Sequence, residues 1–348
     1  MKICIVYTSP KLGDIILQLP FVHRISKFFN TKVTYCINKH GNIKKILEKQ
    51  DYIEEIIENG FRRQNFFSDH VNFIKDLRKR KFDKIFILEK TKGPLLSAVF
   101  SNIKERYAFG IGIEKIFLKN KQNTLNKNDL RYNYTEQSLR FLNKIGIDQI
   151  QFDTPFLKNL NENKYIIKLI NKFKKPWVSF GIDSNEINRK WPMKNFAELA
   201  DRLIDNNLAS HIFIINQKRD VEGLDYFEEM KNFSKHQDKL FDCKIFNRNQ
   251  IIDLIYSTAY FVGIDSGPSC IAGAIGKKTF CIFGPTDVTL PKFSSMNKII
   301  SDMYNPDREI GIKRCGDNFD QTDKEVRTIS VDKVYNNIFN NLVSSKKL

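Results

Sequence analysis

Residues 261–287 read FVGIDSGPSCIAGAIGKKTFCIFGPTD, and the physics of this run decides the fold. The apolar stretch Tyr260–Ile264 has the length of a buried strand and runs into Asp265-Ser266-Gly267. Pro268 follows where a helix tolerates proline, because the first N–H groups of a helix have no internal partner. Ala272, Gly273, Ala274 and Gly276 let that helix, Gly267–Ile275, lie close on a sheet. A second strand, Thr279–Phe283, ends in Gly284-Pro285-Thr286. Strand, helix and strand at this spacing make a parallel βαβ unit. Backbone N–H groups of Gly267 and its neighbours then stand at a positive helix end, beside the carboxyl edge of a sheet, which suits a diphosphate. A glycine-containing turn that holds no ligand has the same local pattern.

Working outward, the same alternation precedes this unit. Strands are expected at Trp177–Ile182, His211–Ile215 and Lys244–Phe246, and helices at Asn195–Asn206, Asp220–Asn232 and Gln250–Ser257, with a last amphipathic helix over Val331–Leu342. The first half repeats the theme. Strands are expected at Lys2–Tyr7, Val33–Ile37, Tyr52–Ile57 and Lys84–Leu88. Helices are expected at Ile15–Phe29 (kinked at Pro20), Asn42–Lys49, Asn65–Lys79, Leu95–Asn102 and Thr135–Lys144. Polar residues 118–134 carry no periodicity and read as a mobile loop; the Asn/Lys-rich stretch 158–175 reads as a domain junction. The expectation is an α/β protein of two Rossmann-like, doubly wound domains facing a cleft, divided as 1–160 and 161–348.

The chain of 348 residues is long enough for two such cores, and 41% hydrophobic with 28% charged residues is the balance of a folded protein. The apolar stretch Ile3–Tyr7 is too short for a signal-peptide core, and no apolar run approaches the ~18 residues that cross a bilayer, so a cytoplasmic location is expected. Six scattered cysteines without a CxxC pair read as free thiols, and neither a zinc site nor any other cofactor is expected. The net charge of +17 points to an anionic partner, or else reflects a composition crowded with Lys, Asn and Ile. No basic block with interleaved aromatics occurs, so nucleic acid is not the expected partner.

Two further stretches carry chemistry. Residues 178–198, VSFGIDSNEINRKWPMKNFAE, place Arg189 and Lys190 before Trp191-Pro192 at the entry of a helix. A cation there suits an anion such as a diphosphate; a solvated basic pair beside a structural Trp is the plain alternative. The opening, KICIVYTSPKLGDIILQLPFVHRI, places Asp14 after a Gly and before a helix expected to start at Ile15. On residues alone, Asp14 is best read as an N-cap.

These three stretches together resemble the glycosyltransferase family 9 of ADP-heptose:lipopolysaccharide heptosyltransferases. The resemblance spans most of the chain and is thinnest between residues 60 and 160. The D-S/T-G-x-x-H-x-A-A-x-x-G…FGPT pattern is matched at Asp265, Ser266, Gly267, Ala272, Gly276, Gly284, Pro285 and Thr286. The family's histidine is Cys270 here, and Arg189 stands where the family has lysine. The resemblance implies a GT-B architecture whose C-terminal domain binds a nucleotide-diphosphate sugar, most simply ADP-heptose. It assigns Arg189, Lys190, Asp265, Ser266, Gly267, Cys270 and Thr286 to that donor, and Asp14 to the general base of an inverting displacement. It loosely matches Asp220 to a ribose contact, although Asp220 equally reads as a helix cap. Arg62, Arg63, Lys90 and Lys92 sit where an anionic glycolipid, such as a lipopolysaccharide inner core at the inner face of the cytoplasmic membrane, would be met; solvated surface cations are the alternative.

No Asp-x-Asp occurs, so a metal-independent reaction is expected. Gly110-Ile111-Gly112 lacks the third glycine of a dinucleotide fingerprint and is set aside. The rival readings are a transferase with another donor, a non-catalytic sugar-nucleotide-binding relative, and a basic nucleic-acid-binding protein.

Overall fold

The computed structural model describes residues 1–39, 43–60, 66–90, 92–158, 164–216, 225–305 and 323–344. Arg62, Arg63 and Asp220 lie outside them. The described residues up to Lys158 form one unit and those from Lys164 onward a second.

In the first unit the chain runs through β1 (Ile3–Tyr7), α1 (Leu12–Leu17), α2 (Leu19–Phe28), β2 (Val33–Asn38), α3 (Lys44–Leu47) and β3 (Ile53–Asn59). It continues with α4 (Phe66–Arg80), β4 (Lys84–Ile87), α5 (Lys92–Phe100), β5 (Glu105–Ala108) and α6 (Tyr134–Lys144). The sheet has the order β3-β2-β1-β4-β5, and every neighbouring pair runs parallel. β1 and β2 are buried at every position, as strands covered on both faces must be.

The helix expected over Ile15–Phe29 is two helices, broken at Gln18, and Pro20 falls in the first turn of the second. Proline there forfeits no internal hydrogen bond, so it starts a helix rather than kinking one. Residues 118–134 are not a featureless loop. Leu118 and Leu125 are buried, and Asn120 donates to the Ala108 carbonyl at 3.0 Å. Buried Asp129 accepts from Lys144 Nζ at 2.6 Å and from the Asn126 N–H at 2.9 Å. Burial pushes the Asp129 carboxyl up, but Lys144, the Asn126 N–H and Arg140 outweigh it and hold it below the usual carboxylate range.

The second unit runs through α7 (Lys164–Ile170), β6 (Trp177–Gly181), α8 (Met193–Asp205), β7 (His211–Ile215), α9 (Tyr226–Phe233) and β8 (Leu240–Asp242). Then come α10 (Arg248–Ser257), β9 (Tyr260–Ile264), α11 (Gly267–Ile275), β10 (Thr279–Phe283), β11 (Met296–Ile300), α12 (Lys324–Arg327) and α13 (Val331–Ser344). The parallel sheet order is β11-β10-β9-β6-β7-β8. Its core joins Phe180, Trp191, Phe196, Leu203, Ile214, Val262, Ile282 and Val334, all fully buried. Each such side chain contributes about 1.5–3 kcal/mol by leaving water.

The strand expected at Lys244–Phe246 lies earlier, at Leu240–Asp242, where it pairs with Ile212–Ile214, while Ile245 is exposed. Residues 158–175, read as a junction, contain α7. The helix expected from Asp220 is described from Tyr226 and is capped by Asp225, whose Oδ1 accepts from the Phe227 and Glu228 N–H groups. Gly276 ends α11 with φ of 84°, a left-handed conformation that favours glycine.

Candidate active site

In each unit the strand order reverses beside a central strand, between β1 and β4 in the first and between β6 and β9 in the second. Loops leaving the carboxyl ends of such strands diverge to opposite sides, which leaves backbone and side chains free to face a ligand.

At the first reversal, the loop after β1 enters α1 at Leu12, so Asp14 sits at the third helical position and is not the N-cap. That place belongs to Lys11, whose side chain makes no capping bond. The Asp14 carboxylate is held by two hydroxyls instead. Ser9 Oγ donates to Oδ2 at 2.6 Å, and Tyr134 OH, from the first residue of α6, donates to Oδ1 at 2.8 Å. Beside it, at the end of β4, Glu89 accepts from Thr8 Oγ1 at 2.7 Å and from the Thr8 N–H at 3.2 Å. Asn38 donates to the carbonyls of Thr8 and Gly60, both at 3.1 Å, and so ties the β1 loop to the end of β3. Beneath α1 the Tyr35 hydroxyl is raised well above its ordinary range, first by burial and then by Tyr52 and the carboxylates Glu89 and Asp14.

Of the cations expected around this edge, Lys90 and Lys92 are among the described residues. Lys90 Nζ donates to the Leu130 carbonyl at 3.2 Å, and Lys92 lies 3.9 Å from Glu114. Ser9, Glu89 and Tyr134 were not read from the sequence. Tyr134 lies 120 residues from Asp14, and no local pattern marks it as a partner.

At the second reversal, β9 delivers Asp265 to the sheet edge, where it is 5% exposed, and Ser266 is the N-cap of α11. Ser266 has the extended backbone of a cap, yet its hydroxyl makes no capping bond. Among the described residues, the buried Ser266 Oγ, Thr286 Oγ1, Asn188 Oδ1 and Asn216 Oδ1 have no hydrogen-bond partner. A buried hydroxyl without a partner costs about 1–3 kcal/mol, so several at the carboxyl edge of one sheet mark a surface built to meet a polar group. Asn216, just past β7, was not read from the sequence.

Arg189 reaches the same place from the loop after β6. Its Nη1 lies 3.1 Å from Asp265 Oδ2 and its Nη2 2.8 Å from Glu186 Oε2. The two carboxylates fix the guanidinium at the start of α11. Lys190 turns elsewhere. Its Nζ donates to Tyr226 OH at 2.6 Å, lies 4.4 Å from that ring's centroid, and is 3.7 Å from buried Asp183. Trp191 is structural: fully buried, it donates to the Ile329 carbonyl at 2.8 Å. The Gly284-Pro285-Thr286 turn packs against the Arg189 loop so closely that a Cβ on Gly284 would stand 2.8 Å from the Asn188 carbonyl oxygen. Glycine is required there by this approach.

Cys270 lies in α11, buried, with its N–H donating to the Ser266 carbonyl at 3.1 Å. Cys4, Cys36, Cys243 and Cys281 are also free and buried, and burial raises each of their thiols above the ordinary range, which leaves them poor nucleophiles. Among the described residues, no three His, Cys, Asp or Glu side chains gather as a metal set would.

Several solved structures share this architecture. A glycosyl transferase of family 9 from Veillonella parvula matches with a TM-score of 0.76 at 16% identity, over 99% of this chain and 97% of its own. The E. coli ADP-heptose lps heptosyltransferase II matches with a TM-score of 0.73 at 15% identity, over 99% of this chain and 100% of its own. The E. coli heptosyltransferase WaaC, solved with ADP-2-deoxy-2-fluoro heptose, matches with a TM-score of 0.67 at 14% identity, over 98% and 100%. At these identities the likeness shows the fold alone. No curated protein matches the chain. The sequence profile of glycosyltransferase family 9 (heptosyltransferase) does match, over residues 70–311, which is more than two thirds of the chain. That profile and the shared two-sheet architecture agree: the chain is a glycosyltransferase and belongs to glycosyltransferase family 9, the heptosyltransferases.

Proposed function

We propose that this glycosyltransferase moves a heptose from ADP-heptose to an anionic glycolipid of the lipopolysaccharide inner-core class, with inversion and without a metal ion. The observation that carries the reading is the second unit's switch point. There Arg189, fixed by Asp265 and Glu186, stands at the N-terminus of α11 beside the unmatched hydroxyls of Ser266 and Thr286. A guanidinium, free helix N–H groups and hydroxyls form a donor set suited to a diphosphate. In the proposed step the acceptor oxygen bonds to the anomeric carbon as the bond from that carbon to the diphosphate breaks. The acceptor's proton passes to Asp14. The nucleoside diphosphate leaves with the electron pair, and Arg189 and the first turn of α11 stabilise its charge. In place of a divalent ion, cationic side chains and a helix end supply the positive charge, in keeping with a sequence that has no Asp-x-Asp. Asp265, Ser266, Gly267, Cys270, Thr286, Arg189 and Lys190 serve the donor; Lys90 and Lys92 serve the acceptor.

The test is product detection by mass spectrometry, with the full chain, ADP-heptose and heptose-deficient lipopolysaccharide in excess EDTA. A product heavier by one heptose is expected. Loss of transfer in EDTA that manganese or magnesium restores overturns the metal-free step. A second reading, another nucleotide-sugar donor on the same scaffold, is favoured by Cys270 in the family's histidine position. Product from a different donor alone would select it.

A further inference from the structure

The first unit carries an apolar surface that its own core does not use. The 3₁₀ turn Ile113–Phe117 buries none of its five residues, and Ile113 is 78% and Ile116 56% exposed. In such a turn, side chains three apart project together, so these two isoleucines form one outward ridge. Lys92 of α5 lies 3.9 Å from Glu114 of the turn, and exposed Leu96 and Phe100 follow Lys92 at one-turn steps along α5. Charge around the ridge has one sign. Lys92, Lys115, Lys119 and Lys121 are exposed, whereas the Glu114 side chain is largely covered. Aliphatic side chains ringed by exposed cations match an anionic lipid surface, where the apolar tips enter the headgroup boundary and the cations meet the lipid charge. A second copy of this chain fits less well, because it would bring the same cations face to face.

Placement in the fold gives the surface a purpose. Lys92 follows β4 and lies 3.9 Å from Glu114, so that end of the ridge stands near the carboxyl edge of the sheet that carries Asp14 after β1, while the other end runs back along β5, where the Phe117 carbonyl accepts from Arg106 Nε at 2.7 Å. With strands about 4.8 Å apart, the ends of β1 and β5 are separated by about 10 Å. A membrane touching the ridge therefore lies close enough to present a lipid-linked sugar to Asp14.

We propose that Ile113 and Ile116, with Leu96, Phe100 and the surrounding lysines, form a docking face for an anionic membrane surface. The purpose assigned to this face rests on the glycolipid-acceptor reading above; the binding itself does not. The test is co-sedimentation of the full chain with vesicles of phosphatidylcholine alone and of equal parts phosphatidylcholine and phosphatidylglycerol, with no sugar nucleotide present. Wild type is expected to bind the mixed vesicles, more weakly as salt rises, and to bind pure phosphatidylcholine poorly. The double substitution Ile113→Ser with Ile116→Ser should weaken binding to mixed vesicles at least about tenfold while melting temperature and ADP affinity stay unchanged. Failure of wild type to bind mixed vesicles, or equal binding by the variant, overturns the proposal. So does a concentration-dependent dimer in sedimentation equilibrium that the double substitution abolishes, since the ridge would then be a contact between copies. Vesicle binding needs neither donor nor acceptor, so failure to transfer heptose leaves this result standing, and the reverse holds.

Discussion

The two switch points fill one backbone device with different side chains. In both units a central strand ends beside its neighbour across the reversal, β1 beside β4 and β6 beside β9, and a helix starts at or within a few residues of a strand end there. The first unit fills that place with carboxylates, Asp14 held by Ser9 and Tyr134 and Glu89 held by Thr8. The second places a guanidinium between two carboxylates, Asp265 and Glu186, and leaves hydroxyls unmatched beside a helix end. A carboxylate whose oxygens are pinned by donors is preorganised to take a proton along one direction. In the proposed reading, the guanidinium, the unmatched hydroxyls and the helix end receive an anion. The lesson is that a doubly wound sheet supplies the location, and a handful of side chains supplies the chemistry.

The sharpest way to break this division is Asp14→Asn. At the third helical position the amide still accepts from one hydroxyl, and the other can turn to accept from the amide, so the packing persists and the proposed base is lost. Turnover should fall at least about a hundredfold, with ADP affinity and melting temperature unchanged. A variant that transfers sugar at near the wild-type rate would show that Asp14 is structural.

Arg189→Ala probes the other side. It should weaken ADP binding by about 1.5–3 kcal/mol, read by calorimetry on the full chain. The loss belongs toward the upper end, because Asp265 and Glu186 would then face the diphosphate unopposed. Unchanged affinity would remove Arg189 from the donor set.

Tyr134→Phe removes one of the two donors to Asp14. Turnover should drop about tenfold, with KM for the donor and the ADP affinity unmoved; a shift in donor affinity would blur the division of labour. The smallest effect is expected at Cys270, which lies buried in α11. Cys270→Ser should change turnover by less than about twofold, since the thiol is a weak hydrogen-bonding group that a hydroxyl replaces. A large fall in activity with the fold intact would give the thiol a role of its own.

Tyr260–Ile264, Gly267–Ile275 and Thr279–Phe283 were legible residue for residue, because strand, helix and strand follow one another within 24 residues and each carries its own period. Asp14, Arg189 and the Asp265-Ser266-Gly267 turn were legible as candidates for a similar reason: their motifs are contiguous.

What the chain's local chemistry alone determined was the alternation, hence two parallel sheets, and the residues that end the central strands. Tertiary structure alone decided the sheet edges. β5, with sequence ERYA, and β11, with sequence MNKII, are partly exposed edge strands without the apolar run that marks a buried one. It also decided that residues 118–134 are packed, since Asn120 and Asp129 find their partners only once β5 and α6 are in place. The same holds for the sites' geometry. Asp14 meets Tyr134 across 120 residues and Arg189 meets Asp265 across 76. A periodicity or a cap is written in neighbouring residues, whereas a hydrogen bond between distant side chains exists only after the sheet order has brought their strand ends to one edge.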